Sequence, residues 1–357
     1  MTFVDVAVSA SRSSTLASNS WNKRADLVPS GNTIVIRDRA EDGPPATRTV
    51  VLSNIICPKV ARRYNAASDA QSDEPFGWMA REFVRSKVVG REVCYTVKNQ
   101  IGSHRVYGCV YLGRNCGAQN LAHLLVREGL ARVRRNVSQS VIKKSPILQI
   151  LIGLEEKAKA DRKGIWSGSE DGASRNICWK IEHPKTFYDM HAGKALHGVV
   201  ESVRDANMLQ IQLFPLAEDS TPTYYNIMLL LSGINTPKST VHRGSRVYMP
   251  FALEAHFFVE SRLLQRDVTV ILEGMRKNCF VGSVLHSNGN IALSLLRAGL
   301  AWCLHWKLTH VSEAAGGAEA YRSAEQMAMN RRLRIWEDYA SPTDELACVM
   351  EGAAKIQ

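Results

Sequence analysis

The sequence lacks most features that identify a function at sight. No run of 18 apolar residues occurs in its 357 positions, which excludes an apolar spanning helix, and Asp5 interrupts the only apolar stretch before Ser20, which argues against a signal peptide. Its eight cysteines include no CxxC pair and its ten histidines show neither HxH nor HxxxH spacing, so a zinc site has no ligand set to build on. Several cysteines lie inside apolar runs, and all eight are expected to be reduced thiols of a cytosolic or nuclear protein. Acidic residues are in deficit, 34 against 45 Lys and Arg, and the net charge of +11 makes nucleic acid the leading partner.

What the chain does have is one pattern written twice. Leu52-Ser53-Asn54-Ile55-Ile56-Cys57-Pro58-Lys59 returns as Leu231-Ser232-Gly233-Ile234-Asn235-Thr236-Pro237-Lys238. Pro75-Phe76, Ala80, Phe83-Val84, Ser86, Arg91 and Val93 meet Pro250-Phe251, Ala255, Phe258-Val259, Ser261, Arg266 and Val268 at a constant offset of 175. Farther on, Gly129-Leu130-Ala131 and Ile165-Trp166 meet Gly299-Leu300-Ala301 and Ile335-Trp336 at an offset of 170, so small indels separate the blocks. Order-preserving matches of this kind imply two copies of one domain. At 45% hydrophobic content the chain can bury two cores.

Each copy reads strand, strand, helix, strand, strand, short helix, long helix, from β-branched alternation and from 3.6-residue periodicity. Asp73-Glu74-Pro75-Phe76 predicts a helix start, Gly90 its stop, and Trp166 and Trp336 core anchors after the long helices. The expected division is a disordered segment over 1–20, a first domain over 21–167, a linker over 168–194, a second domain over 195–340, and a tail over 341–357 that resembles the opening of a third repeat.

The octet, together with Tyr107-Gly108, Glu128-Gly129-Leu130-Ala131, Gly164-Ile165-Trp166 and Arg331-Arg332-Leu333-Arg334-Ile335-Trp336, resembles the staphylococcal nuclease-like family, and most closely its multi-repeat eukaryotic members with Tudor domains. That resemblance implies an α+β fold of two tandem OB-type domains, each a five-stranded barrel with three helices. It also implies a phosphodiesterase site of two arginines, a glutamate base and two Ca²⁺-binding aspartates. Carried over by position, the first arginine falls on Val51 and Leu230, one aspartate on Ile56 and Asn235, the other on Asn32 and Asn207, and the base on Lys59 and Lys238. The second arginine falls on Tyr107 or Cys109 and on Val281 or Gly282. Losing a general base costs roughly 10² to 10⁴ in rate, so no catalytic residue, metal or cofactor is expected, with Ca²⁺ needed only if the chain is a nuclease after all.

Lysine in place of the base suggests a loop that grips phosphate. The expected nucleic-acid contacts are Lys59, Arg62, Arg63, Arg132, Arg134 and Arg135 in the first copy, and Lys238, Arg243 and Arg246 in the second. The expected partner is RNA, joined by way of the resemblance to proteins of silencing or transcription complexes in the cytoplasm and nucleus, with no membrane role. An RNA nuclease with a non-standard site and a protein-interaction scaffold are the alternatives.

Overall fold

The computed structural model describes residues 20–37, 45–61, 71–102, 104–135, 145–242, 245–277 and 279–339. The expected contacts Arg62, Arg63 and Arg243, the segments 1–19 and 340–357, and Cys348 lie outside the described residues.

In the first copy, β1 (Ser20–Ser30), β2 (Thr33–Arg37) and β3 (Thr47–Leu52) form an antiparallel meander. They are followed by β4 (Ile55–Ile56), α1 (Gly77–Val88), β5 (Glu92–Ile101), β6 (Arg105–Leu112), α2 (Leu121–Arg127), β7 (Arg132–Val133), α3 (Pro146–Ala160) and a 3-10 turn over Gly164–Trp166. The alternation that marks a strand is visible in β2, where Ile34 and Ile36 are buried between half-exposed neighbours. Strand β3 closes onto β6 in parallel, so that β1-β2-β3-β6-β5 is a closed barrel without free edges.

The segment between the copies contacts both: the Ala173 carbonyl accepts from the Phe76 amide of the first at 2.8 Å, and its later part packs on the second. Its β8 (Asn176–Cys178) pairs with β11, and Phe187 on α4 (Pro184–His191) is buried in the second core. That copy continues with β9 (Ala195–Asp205), β10 (Met208–Leu213), β11 (Thr223–Leu231), β12 (Ile234–Asn235), the hairpin β13 (Ser239–His242) and β14 (Ser245–Tyr248), and α5 (Ala252–Leu263). Then come β15 (Asp267–Arg276), β16 (Cys279–His286), β17 (Gly289–Asn290), α6 (Ile291–Arg297), β18 (Trp302–Cys303), 3-10 turns over His305–His310 and Glu313–Ala315, α7 (Gly317–Asn330), and a 3-10 turn over Arg334–Trp336. Pairings β9 to β10 to β11, the parallel β11 to β16, and β16 to β15 to β9 complete a second five-stranded ring. The repeat extends to capping: Asn120 and Asn290 accept from the amides of Ala122 and Ala292 at 2.9 and 2.8 Å, starting α2 and α6.

Three expectations are corrected. Cys94 and Cys116 are joined, with Cα atoms 5.5 Å apart, so the eight cysteines are not all free thiols; the bond ties β5 to the loop after β6. Helix α1 begins at Gly77 rather than at Pro75, because Asp73 is drawn away to accept from the Ala61 amide and to pair with Arg175, while Phe76 caps the helix in a left-handed conformation at φ 65°. Phe251 does the same at φ 63°, so a strain of about 1–2 kcal/mol at a bulky residue is repeated in both copies. Finally, Trp166 and Trp336 are only half-buried, and Trp166 carries Lys159 at 4.8 Å and Arg132 at 5.3 Å over its ring.

The two barrels are locked together by polar contacts. Arg81, 4% exposed, makes a bidentate pair with Glu201 at 2.9 and 2.7 Å and donates through Nε to the Val28 carbonyl at 2.9 Å. Gln265 pairs its side-chain amide with the backbone of Val28, accepting at 2.6 Å and donating at 3.1 Å. Arg85 reaches Asp267 at 2.8 Å, and Arg37 reaches Glu260 at 3.0 Å. From the inter-copy segment, Arg175 pairs with Asp73 at 2.7 Å and lies 3.6 Å over the ring of Trp78.

Candidate nucleic-acid interface

Each repeated octet forms the mouth of its barrel. In the first copy Val51 is buried beside Tyr107 in the parallel register, and the Leu52 amide donates to the Asn32 carbonyl at 2.8 Å. The chain turns at Asn54, φ 67°, and leaves Ile56 46% exposed opposite Arg132. In the second copy Leu230 lies beside Val281, the Leu231 amide donates to the Asn207 carbonyl at 2.9 Å, and Asn235 lies opposite Trp302. The turn here is Gly233, φ 72°, where an added Cβ would lie 2.9 Å from Val311 and 3.0 Å from Leu308, so the position needs glycine twice over.

The positions that hold Ca²⁺ by family resemblance do not fit the ion. Calcium takes six to eight oxygens, carboxylates prominent among them. In the second copy the Asn207 amide donates to the Asn235 side-chain oxygen at 3.3 Å, and one donor is spent on the other. In the first, the Asn32 oxygen accepts from Ser30 Oγ at 3.0 Å, and its counterpart is the hydrocarbon of Ile56. Among the described residues no three His, Cys, Asp or Glu are grouped to hold a metal ion.

The expected cations are dispersed by the fold into different roles. The Lys59 ammonium lies 3.5 Å from Glu74, so its charge is partly offset. Arg135 is drawn to Glu155 at 2.5 Å. Burial alone would raise the Glu155 carboxyl, but the Val133 amide, Arg135 and Lys159 together hold it below the ordinary value. Arg132 is exposed and lies against Trp166. Arg134 lines an open groove of about 760 Å³ with Leu52, Asn54, Lys98, Ile101 and Tyr107. Lys238 is half-buried, its amide donating to the Met249 sulfur at 3.5 Å, and Arg246 follows on strand β14.

A second set of cations sits at the junction of the barrels. Arg266 lays its guanidinium against Gly90 of the first copy, where an added Cβ would be 1.8 Å from Nη2. Burial and then the charge of Arg24 lower the pKa of Arg262, and the same two causes lead for Arg266, with Arg85 adding to them. Asp26 and Asp267 act in the opposite direction on Arg266 but do not cancel the loss. Among the described residues neither Arg262 nor Arg266 forms an ion pair; Arg262 donates to the Phe258 carbonyl at 3.0 Å. His286 is lowered too, first by burial and then by these two guanidiniums. Crowded guanidiniums of this kind favour an anion. Arg24, Arg262, Arg266 and Lys98 were not singled out from sequence, because only the folding of one copy against the other, and of β5 over the octet, brings them to these places.

The staphylococcal nuclease homologue family model matches residues 49–168 and 228–338, each stretch running from the third strand of a barrel, β3 or β11, to the 3-10 turn after its long helix. The chain belongs to the staphylococcal nuclease homologue family. It is 38% identical over 323 residues to Staphylococcal nuclease domain-containing protein 1 of Drosophila melanogaster, covering 88% of this chain and 33% of that protein. It is 30% identical to Ribonuclease TUDOR 2 of Arabidopsis thaliana, over 91% of this chain and 37% of the relative, and 30% identical to Staphylococcal nuclease domain-containing protein 1 of Schizosaccharomyces pombe, over 85% and 33%. The chain therefore spans about a third of the length of these curated relatives. Family membership points to nucleic acid as ligand, and no helix among the described residues is long and apolar enough to cross a membrane.

Proposed function

We propose that the chain binds RNA through its cationic mouths and junction and does not cut it at either inherited site. The observation that carries the reading is the meeting of Arg24, Arg262 and Arg266 at the junction: Arg266 is half-buried against Gly90, the charge of Arg24 adds to burial in lowering Arg262 and Arg266, and a phosphate would relieve that repulsion. The groove with Lys98 and Arg134 beside the first mouth offers a second contact on the same kind of backbone. Against cleavage stand the residues at the inherited positions. Val51, Ile56 and Lys59, and Leu230, Asn235 and Lys238, supply neither transition-state guanidinium nor carboxylate base. By the family resemblance alone, the proposed role extends to work within RNA-silencing, RNA-decay or transcriptional assemblies in the cytoplasm and nucleus.

One relative is named a ribonuclease, which keeps the nuclease alternative in view. Both readings are decided by incubating purified protein with end-labelled RNA in Ca²⁺, Mg²⁺ or chelator while titrating binding against salt. Binding through about four to six phosphates gives a log-log slope of about −3 to −4 on single strands. A flat salt dependence favours a protein scaffold. Metal-dependent product from the wild-type chain overturns the non-cutting reading.

A further inference from the structure

The two mouths share a backbone but carry different chemistry. In both copies the strand after the short helix pairs with the strand after the octet turn: Ile56 with Arg132 in the first, Asn235 with Trp302 in the second. The next amide but one then donates to the turn carbonyl, Arg134 to Asn54 and Leu304 to Gly233, both at 2.8 Å. On this common frame the first copy presents Arg132, Arg134 and Arg135, where the second presents Trp302, Leu304 and His305. The following residue of the second copy is Trp306.

Trp306 is 73% exposed, against 43% for Tyr248, the next most exposed tryptophan or tyrosine among the described residues. Its exposure is not the result of a loose segment. The 3-10 turn that holds it, His305–His310, is pinned by fully buried Leu308, which with Val311 and Tyr321 covers the face of Gly233. His305 lies 3.5 Å from Glu325, whose other oxygen accepts the Cys303 amide at 2.7 Å. Among the described residues no aromatic ring or cation stacks on the indole, in contrast to Trp166 and Trp336 at the ends of the long helices. The other exposed side chains of the turn, His305, Thr309 and His310, are polar, and Lys307 adds a cation.

We infer that Trp306 is a stacking platform for an unpaired base, so that the second mouth takes bases of a single-stranded nucleic acid whose phosphates are held by neighbouring cations. An indole face fixed at a barrel mouth, among the polar side chains of His305, Thr309 and His310 and beside the cation of Lys307, suits a flat anionic ligand better than an apolar protein surface. The inference rests on the RNA-binding reading and adds to it a strand state and a residue.

The test compares wild type, Trp306→Ala and Trp306→Phe for binding a labelled oligouridylate of about twelve nucleotides and inorganic polyphosphate of matched charge. Loss of one stacked base is expected to weaken W306A for oligouridylate by about 5- to 150-fold, with W306F close to wild type and polyphosphate affinity unchanged in both. Because the side chain is exposed, the variants keep the wild-type fold, and unchanged thermal denaturation checks this. Salt-dependent binding by wild type with no W306A effect, or an equal loss for polyphosphate, overturns the platform and leaves the RNA-binding reading standing. Absence of salt-dependent binding by wild type overturns both.

Discussion

The side-chain amide of Asn207 donates to the side-chain oxygen of Asn235 at 3.3 Å, closing on itself the place where family resemblance puts two calcium-binding carboxylates. Two neutral amides satisfy each other; two carboxylates at that distance repel. Asn207→Asp with Asn235→Asp is therefore expected to lower stability in chelator, by about 1–3 kcal/mol if both charges stay partly buried. Millimolar Ca²⁺ should recover part of that loss in the double variant and leave wild type unmoved, as read by thermal denaturation. Even then RNA should stay intact, since Leu230, and Val281 or Gly282, still stand where the arginines would be needed.

Arg81 couples the barrels. Removing its guanidinium leaves Glu201 without its bidentate partner and the Val28 carbonyl without one of its donors. Arg81→Ala is expected to cost about 3–5 kcal/mol by chemical denaturation, most of it from the stranded carboxylate. Arg81→Met with Glu201→Leu, which strands nothing, should recover much of the loss. A cost near zero for R81A would mean that the barrels do not rely on this contact.

Glu273 gives the fold a pH dependence of definite sign. Burial raises its carboxyl above the ordinary value of 4.5, and the amide of Ser312 at 2.7 Å and the Ser283 hydroxyl at 2.9 Å only partly oppose this. The folded state thus binds the proton more tightly than the unfolded chain. Its contribution is complete below about 4.5 and is lost as pH rises through the raised folded value. Glu273→Gln keeps the acceptor oxygen and removes the charge. It should be more stable than wild type at pH 8, with the gap closing as the pH falls toward 4.5, measured by urea unfolding across that range.

The barrels were legible in the sequence for a physical reason: burial on one face imposes a period, and duplication shows the period twice. Leu52 to Lys59 and Leu231 to Lys238 are legible as one strand-turn junction because the turn must reverse at Asn54 or Gly233 in a left-handed conformation. What joins the barrels leaves no such trace. Arg81 and Glu201 stand 120 residues apart, Arg85 and Gln265 180 apart, and nothing local in either partner announces the other. Gln265 occupies the place of Gly90 in the repeat and keeps its positive φ, 52° against 75°, because its side chain serves the other barrel rather than its own helix end. The Cys94–Cys116 bond likewise has no motif, only proximity made by β5 and the loop beyond β6. Trp306 sits just past the duplicated Gly-Leu-Ala block, and only the anchoring of Leu308 on Gly233 holds its turn at the mouth.

Whether phosphates reach the junction can be read from one imidazole and one slope. Burial first, then Arg262 and Arg266, hold the pKa of His286 below its ordinary value of 6.5. Neutralising both guanidiniums, by Arg262→Ala with Arg266→Ala, should move the His286 midpoint upward in the free protein, followed by NMR titration of its ring. Binding an oligonucleotide should move it upward in wild type, because phosphate offsets the same two charges. The double variant should also lose two ionic contacts, flattening the log-log salt dependence on single-stranded RNA by about 1.4 and weakening binding alike for every sequence. An unchanged slope, with His286 indifferent to RNA, would move the phosphate path away from the junction and onto the Lys98 and Arg134 groove of the first barrel.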